Sequence, residues 1–84
     1  MTQLEEKIIR NIKMTPDVAY GYKSYKDALV AIAKAMDYKV VLHYNGTYTI
    51  SNIEEFEKSR TILKRMIAKG ILIENKRGGL VKFK

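Results

Sequence analysis

The chain has 84 residues, no cysteine and a formal net charge of +7. This length predicts one small domain over residues 1–84, and the absence of cysteine excludes disulfides and thiolate metal sites. No apolar stretch is long enough to cross a membrane and the first residues lack the pattern of a secretion signal, so we expect a cytoplasmic protein.

Two helices are predicted in the first half of the chain. The first begins at a capping box headed by Thr2 and ends near Met14, because Pro16 disfavours helical geometry at the residue before it. The second begins at Ser24 and runs to about Asp37 through an alanine-rich segment of high helix propensity. We expect these helices to supply the core and, in a homodimer, the dimer surface.

Three tyrosines with lysines between them precede or open the second helix. Aromatic rings among lysines can stack on unpaired bases, but tyrosines are equally common at protein interfaces. We expect Tyr25 to pack on the core side of the helix. Tyr20 and Tyr22 are expected on a loop, where a partner could reach them.

A β-hairpin is predicted over residues 39–51. Two β-rich runs flank Asn45-Gly46, a strong hairpin signal. A tight turn at these two residues places His43 beside Tyr48 and leaves apolar side chains on both faces of the hairpin. One face is then expected to cover the helices, and the other to be free for a partner. His43 is the only histidine, so a zinc site of ordinary composition is excluded.

A third helix over residues 53–69 and a second hairpin over residues 71–84 complete the chain. Gly70 is expected to end the helix in the left-handed conformation. The hairpin turns at residues 76–79. Four apolar residues alternate so as to face the core: Ile71, Ile73, Val81 and Phe83. The order is helix, helix, hairpin, helix, hairpin, which predicts an α+β fold.

Nearly all of the net charge lies in the last third of the chain. Residues 58–84 contain nine basic residues and one acid, whereas residues 1–57 contain seven basic and eight acidic residues. An electrostatic field with the positive charge concentrated at one end of the chain attracts polyanions. The helix dipole and the protection of hairpin edges also favour lysine and arginine at some of these positions, but they do not account for the whole excess.

Residues 59–84 resemble the end of a winged helix-turn-helix domain, in which a recognition helix is followed by a β-hairpin called the wing. Ser59-Arg60-Thr61 resembles the start of the recognition helix, Gly70-Ile71-Leu72 its exit and residues 76–79 the wing tip. The resemblance implies a small winged-helix-like domain that contacts duplex DNA with the helix and the wing. Two features depart from the family: the short helix and turn that usually precede the recognition helix have little room, and the hairpin at residues 39–51 is additional.

The resemblance and the charge pattern together predict which residues contact nucleic acid. Most of these contacts are expected to be with phosphates, while Arg60 and Arg65 suit guanine edges. The predicted contacts are Lys58, Arg60, Thr61, Lys64, Arg65 and Lys69 on the helix, and Lys76 and Arg77 on the wing.

We therefore expect a small DNA-binding protein, a transcriptional regulator and homodimer, without enzymatic activity or a cofactor. The acidic residues are scattered or cap helices, so they form no catalytic pattern. The alternative is a protein-interaction module or inhibitor of the phage or plasmid type that docks on an acidic protein partner. A third hypothesis is an RNA-binding protein, because a basic helix and hairpin suit RNA as well.

Overall fold

The computed structural model describes residues 2–84 and confirms the α+β class. Its helices are α1 (Gln3–Lys13), α2 (Tyr25–Ala35) and α3 (Ile53–Ala68). Its strands are β1 (Lys23–Ser24), β2 (Val40–Leu42), β3 (Tyr48–Ile50), β4 (Leu72–Asn75) and β5 (Leu80–Phe83). The order of helices and hairpins is the predicted one, with the short strand β1 added between α1 and α2.

The two ends of α3 follow directly from its sequence. The side-chain oxygen of Asn52 accepts hydrogen bonds from the first turn of the helix, at 2.8 and 3.2 Å. At the other end Gly70 has a φ of +80°, and the Ile71 N–H donates to the Met66 carbonyl at 3.0 Å. This Schellman cap ends the helix, as predicted. The helix is continuous from Ile53 to Ala68, so the expectation that Ser59-Arg60-Thr61 starts a separate recognition helix was wrong: these residues lie inside α3.

Strand β1 joins β4 and β5 in a three-stranded antiparallel sheet of order β1-β5-β4. Lys23 pairs with Val81, and Ser24 pairs with Leu80. Sequence analysis missed β1 because the strand has two polar residues and no alternating pattern. Its position depends on β5, which is distant in the chain.

Helix α2 is the centre of the molecule, in contact with both other helices and with both sheets. Only Lys26 and Lys34 are exposed along it, so α2 supplies core, as expected, but little surface for a dimer contact. The core consists of apolar residues from all three helices and from the three-stranded sheet: Ile8, Ile12, Ala28, Ala31, Ile32, Ala35, Leu63, Met66, Leu72 and Val81.

Three of the four residues predicted to face the core do so: Val81 is buried, and Ile71 and Phe83 pack against the core. The prediction was wrong for Ile73, on β4. Leu72 pairs with Phe83 and is buried, whereas Ile73 is exposed. The reason is that Ile71 caps α3 instead of starting the strand, so the alternation begins at Leu72. Glu74, which pairs with Val81, therefore lies on the inward face.

The predicted register of the β2–β3 hairpin was also wrong by one residue. The turn is a three-residue loop ending at Gly46, which has a φ of +85°, and the His43 N–H donates to the Thr47 carbonyl at 2.8 Å. His43 therefore does not lie beside Tyr48. It is exposed, and its Nε2 lies 2.8 Å from the Thr49 hydroxyl. A shift of one residue exchanges the faces, so one face is apolar: Val40, Leu42, Tyr48 and Ile50.

Candidate nucleic-acid interface

All eight predicted contact residues are exposed. Five lie on α3, Lys69 is its C-cap residue, and Lys76 and Arg77 lie in the β4–β5 turn. The opposite face of α3 is buried and is formed by Ser59, Leu63 and Met66. The helix therefore separates core packing from its basic residues.

The basic residues of α3 form two rows along the helix. Lys58 and Arg65 line one shallow cleft of about 370 Å³, together with Glu57, Thr61, Ile62 and two residues after the end of α2. Arg60 and Lys64 lie on the other side, roughly 100° or more around the helix axis from Arg65. A cylinder with positive charge on two flanks can contact both phosphate backbones of a groove.

The N-terminal end of α3 is acidic. Glu54 and Glu57 are exposed, and Glu55 is half-buried. These carboxylates suit the positive end of the helix dipole, but they repel phosphates. The part of α3 that can approach a polyanion therefore begins at Lys58 and extends to Lys69.

Over residues 2–84, the side chains of two of the eight predicted residues have a hydrogen-bond or ion-pair partner. The Thr61 hydroxyl donates to the Glu57 carbonyl at 2.9 Å, so its hydrogen is already used. Lys69 Nζ lies 3.5 Å from Glu5 Oε2 on α1. Such exposed ion pairs contribute little to stability, so Lys69 can exchange Glu5 for another anion.

Glu5 also takes part in the N-terminal cap of α1. The backbone N–H and the hydroxyl of Thr2 donate to its carboxylate. These hydrogen bonds, together with the nearby Lys69 ammonium, lower the pKa of Glu5 from its usual value of 4.5. Glu5 is therefore charged at neutral pH and neutralises part of the basic surface at the end of α3.

The β4–β5 tip is held against the start of α2. The Tyr25 N–H donates to the Gly79 carbonyl at 2.9 Å, and the Tyr25 hydroxyl donates to the Glu74 carboxylate. The only acid of residues 58–84 is thus half-buried and hydrogen-bonded. Lys76 and Arg77 remain exposed, with the Arg77 N–H donating to Asn75 Oδ1 at 3.2 Å. Sequence analysis placed Tyr25 on the core side but gave no signal for its bond to Glu74.

Lys23, which sequence analysis grouped with the tyrosines, is buried. Its side chain donates from Nζ to the Thr15 carbonyl at 2.7 Å and to Asp17 Oδ1 at 2.8 Å. Only 5% of Lys23 is exposed, so it holds the segment between α1 and β1 in place and cannot contact a ligand.

Tyr20 is the most open of the three tyrosines, with 96% of its surface exposed. It has a φ of +52° beside Gly21 at +82°, in a tight turn closed by the Tyr22 N–H on the Ala19 carbonyl at 2.8 Å. Tyr22 is half-buried, with Lys82 Nζ 4.9 Å from the centre of its ring. Of the two loop tyrosines, Tyr20 is thus the one whose ring is open to a partner.

Over residues 2–84, no helix combines the length and the hydropathy that a membrane span requires. The same residues include no group of three histidine or acidic side chains placed to hold a metal ion.

Comparisons with known proteins add no relative to this description. No protein-family model matches the chain, and no curated protein or solved structure matches it either.

Proposed function

We propose that the protein is a small, non-enzymatic DNA-binding protein of winged-helix-like type that acts as a transcriptional regulator. Helix α3 and the β4–β5 tip contact duplex DNA, chiefly at its phosphates. The observation that carries the proposal is the exposure of this basic surface, since every basic residue from Lys58 to Arg77 reaches solvent. The one acid of the segment, Glu74, accepts a hydrogen bond from the Tyr25 hydroxyl.

The arrangement of elements supports this proposal. Helix α3 packs on α2 by one face and leaves its basic flanks open, and the β4–β5 hairpin follows it directly. This corresponds to a recognition helix followed by a wing. The connection over residues 36–52 contains the β2–β3 hairpin, whereas a helix-turn-helix has a turn of about three or four residues there.

The acidic N-terminal end of α3 limits how the helix can approach DNA. In helix-turn-helix proteins the N-terminal residues of the recognition helix contact base edges. Here Glu54 and Glu57 lie near that end, so base contacts fall to Arg60 and Arg65, further along the helix. Phosphate contacts position a protein without specifying sequence, and we therefore expect modest sequence preference.

The test is binding to a random duplex of about 20 base pairs, measured by fluorescence anisotropy from low to physiological salt. A variant with Lys58, Arg65, Lys76 and Arg77 changed to Ala removes four charges from the proposed surface. The matched control removes four exposed charges elsewhere, at Lys7, Arg10, Lys26 and Lys39. Both variants have the same net charge, so any difference between them reports position.

We expect the affinity of the unmodified chain for DNA to fall steeply as salt rises. The first variant should bind DNA more than about tenfold more weakly. Its affinity should also depend less steeply on salt, because each lost phosphate contact lowers the slope by about one. The control variant should bind DNA with an affinity within about threefold of that of the unmodified chain. Equal losses would mean that net charge alone binds DNA, and no binding at low salt would refute the proposal.

Two further ligands separate the alternatives. Stronger binding to an RNA duplex of the same length would favour the RNA hypothesis. Failure to bind DNA with retained binding to polyglutamate would favour an acidic protein partner at the same basic surface.

A further inference from the structure

Residues 40–53 contain no lysine, arginine, aspartate or glutamate, although 30% of the chain is charged. This segment comprises the β2–β3 hairpin and the start of α3. It exposes several large apolar side chains: Val41, Leu42, Tyr44 and Ile53. We call it the uncharged hairpin. Large exposed apolar side chains that gather in one uncharged segment make that segment a candidate contact site.

The outer edge of β2 is open. The His43 N–H donates to the Thr47 carbonyl, and the Ser51 N–H donates to the Lys39 carbonyl. Hydrogen-bonded pairs alternate along an antiparallel ladder, so Val40 and Leu42 direct their backbone N–H and C=O groups away from β3. Exposed edges are usually protected by lysine, proline or a covering segment. Strand β2 contains neither residue.

We propose that this edge binds a second copy of the chain, with two β2 strands paired antiparallel around a two-fold axis at Val41. The outward groups of Val40 and Leu42 lie symmetrically on either side of Val41. Val40 of one copy therefore meets Leu42 of the other, and four backbone hydrogen bonds form. The result is a continuous four-stranded sheet of order β3-β2-β2-β3.

The side chains fit the same pairing. In each copy Val40 and Leu42 share the apolar face of the hairpin with Tyr48 and Ile50. The pairing places Val40 beside Leu42 of the second copy, so the apolar faces join across all four strands. Cross-strand apolar pairs of this kind stabilise sheets.

The distribution of charge favours a second copy as the occupant. Two chains of net charge +7 repel each other, and the uncharged hairpin is where they can meet without opposing like charges. Lys39 of one copy lies opposite His43 of the other. The two Lys39 residues are then about 13 Å apart along the strands, beyond the Debye length of about 8 Å at physiological salt. An acidic partner would favour the basic surface instead.

Disulfide trapping tests the register directly. The chain has no cysteine, so a Val41→Cys variant carries one thiol per chain. Opposed residues of a non-hydrogen-bonded pair have Cα atoms about 4.5 Å apart, within the range of a disulfide. The control is Ile73→Cys, on β4, an edge strand of the other sheet: Ile73 is 40% exposed and Val41 is 36% exposed.

Under mild oxidation we expect at least about tenfold more covalent dimer from Val41→Cys than from Ile73→Cys, because only the former thiols are opposed. Equal cross-linking would overturn the proposal, since it would reflect random collision.

Sedimentation measurements test the dimer without a cross-link. The unmodified chain is expected to dimerise, Val41→Lys to be monomeric and Ile73→Lys to dimerise like the unmodified chain. Val41→Glu should also be monomeric, and an equimolar mixture with Val41→Lys should restore a heterodimer because these residues face each other. Circular dichroism establishes that each variant is folded. A chain that stays monomeric up to millimolar concentration would overturn the proposal, whatever the result of the DNA experiment.

Discussion

Two exposed regions of this small domain differ in net charge, the property that most strongly selects a partner. The basic surface of α3 and the β4–β5 tip belongs to a segment with a net charge of +8, whereas the uncharged hairpin has none and exposes apolar side chains. Long-range attraction acts on the first region, while strand pairing and apolar contact act over short distances at the second. The two proposals therefore assign a polyanion and a second copy of the chain to different surfaces.

The largest expected effect is on the free energy of unfolding, when two leucines are each changed to Ala. One leucine lies in the core beside the basic surface, and the other lies on the uncharged hairpin. Leu72 is 2% exposed and Leu42 is 60% exposed. Leu72→Ala should lower the free energy of unfolding by about 2–5 kcal/mol, because it leaves a cavity among packed side chains. Leu42→Ala should change it by less than about 0.5 kcal/mol.

Urea unfolding followed by circular dichroism measures both leucine variants, at concentrations where the chain is monomeric so that dimer formation does not contribute. A large loss for Leu42→Ala would show that the hairpin belongs to the core and would remove the contrast between the regions.

A smaller effect is expected when one charge is added to each region. Ala68 and Tyr44 are both exposed, and either changed to Lys gives the same net charge. Ala68→Lys adds a possible phosphate contact on α3 and should raise affinity for a random duplex about three- to tenfold. Tyr44→Lys, on the uncharged hairpin, should change it less than about twofold. Equal gains in an anisotropy titration would mean that net charge, not its position, governs binding.

The smallest expected effect comes from removing the negative charge of Glu5, which offsets the positive charge of Lys69. Because folding lowers the pKa of Glu5, its stabilising effect is fully present above its usual pKa of 4.5 and is lost as pH falls through the lower folded value. Glu5→Gln retains the hydrogen-bonding capacity of the cap but removes the charge. Its unfolding free energy should therefore lie slightly below that of the unmodified chain at pH 7 and approach it in acid.

The control for this comparison is Glu6→Gln, an exposed neighbour in the same helical turn. A pH dependence equal to that of Glu5→Gln would assign the effect to the helix dipole instead of to Thr2 and Lys69.

Local chemistry explains which parts of the fold could be predicted. The capping box at Thr2, the glycine that ends α3 and the turn at residues 76–79 each involve neighbouring residues, so sequence spacing predicted them. The eight candidate residues were predicted from the charge pattern and the resemblance, and all of them are exposed. Whether they contact DNA stays a prediction.

The remaining features depend on contacts between distant residues. Strand β1 exists because β5 pairs with it, and Lys23 is buried because Thr15 and Asp17 accept its hydrogen bonds. The two register errors have a common physical cause. A strand of alternating or uniformly apolar residues fits either face, and the adjoining turn or helix cap decides between them.

The central position of β5 also bears on how the protein is made. Strand β5 lies between β1 and β4, and Val81 is fully buried in the core. During synthesis α1 and α2 emerge well before residues 80–83, and at about 5–20 residues per second the interval lasts a few seconds. Over that time the apolar faces of α2 lack the sheet that covers them. Until β5 leaves the ribosome, protection of the nascent chain from aggregation would therefore depend on the ribosome surface and on chaperones.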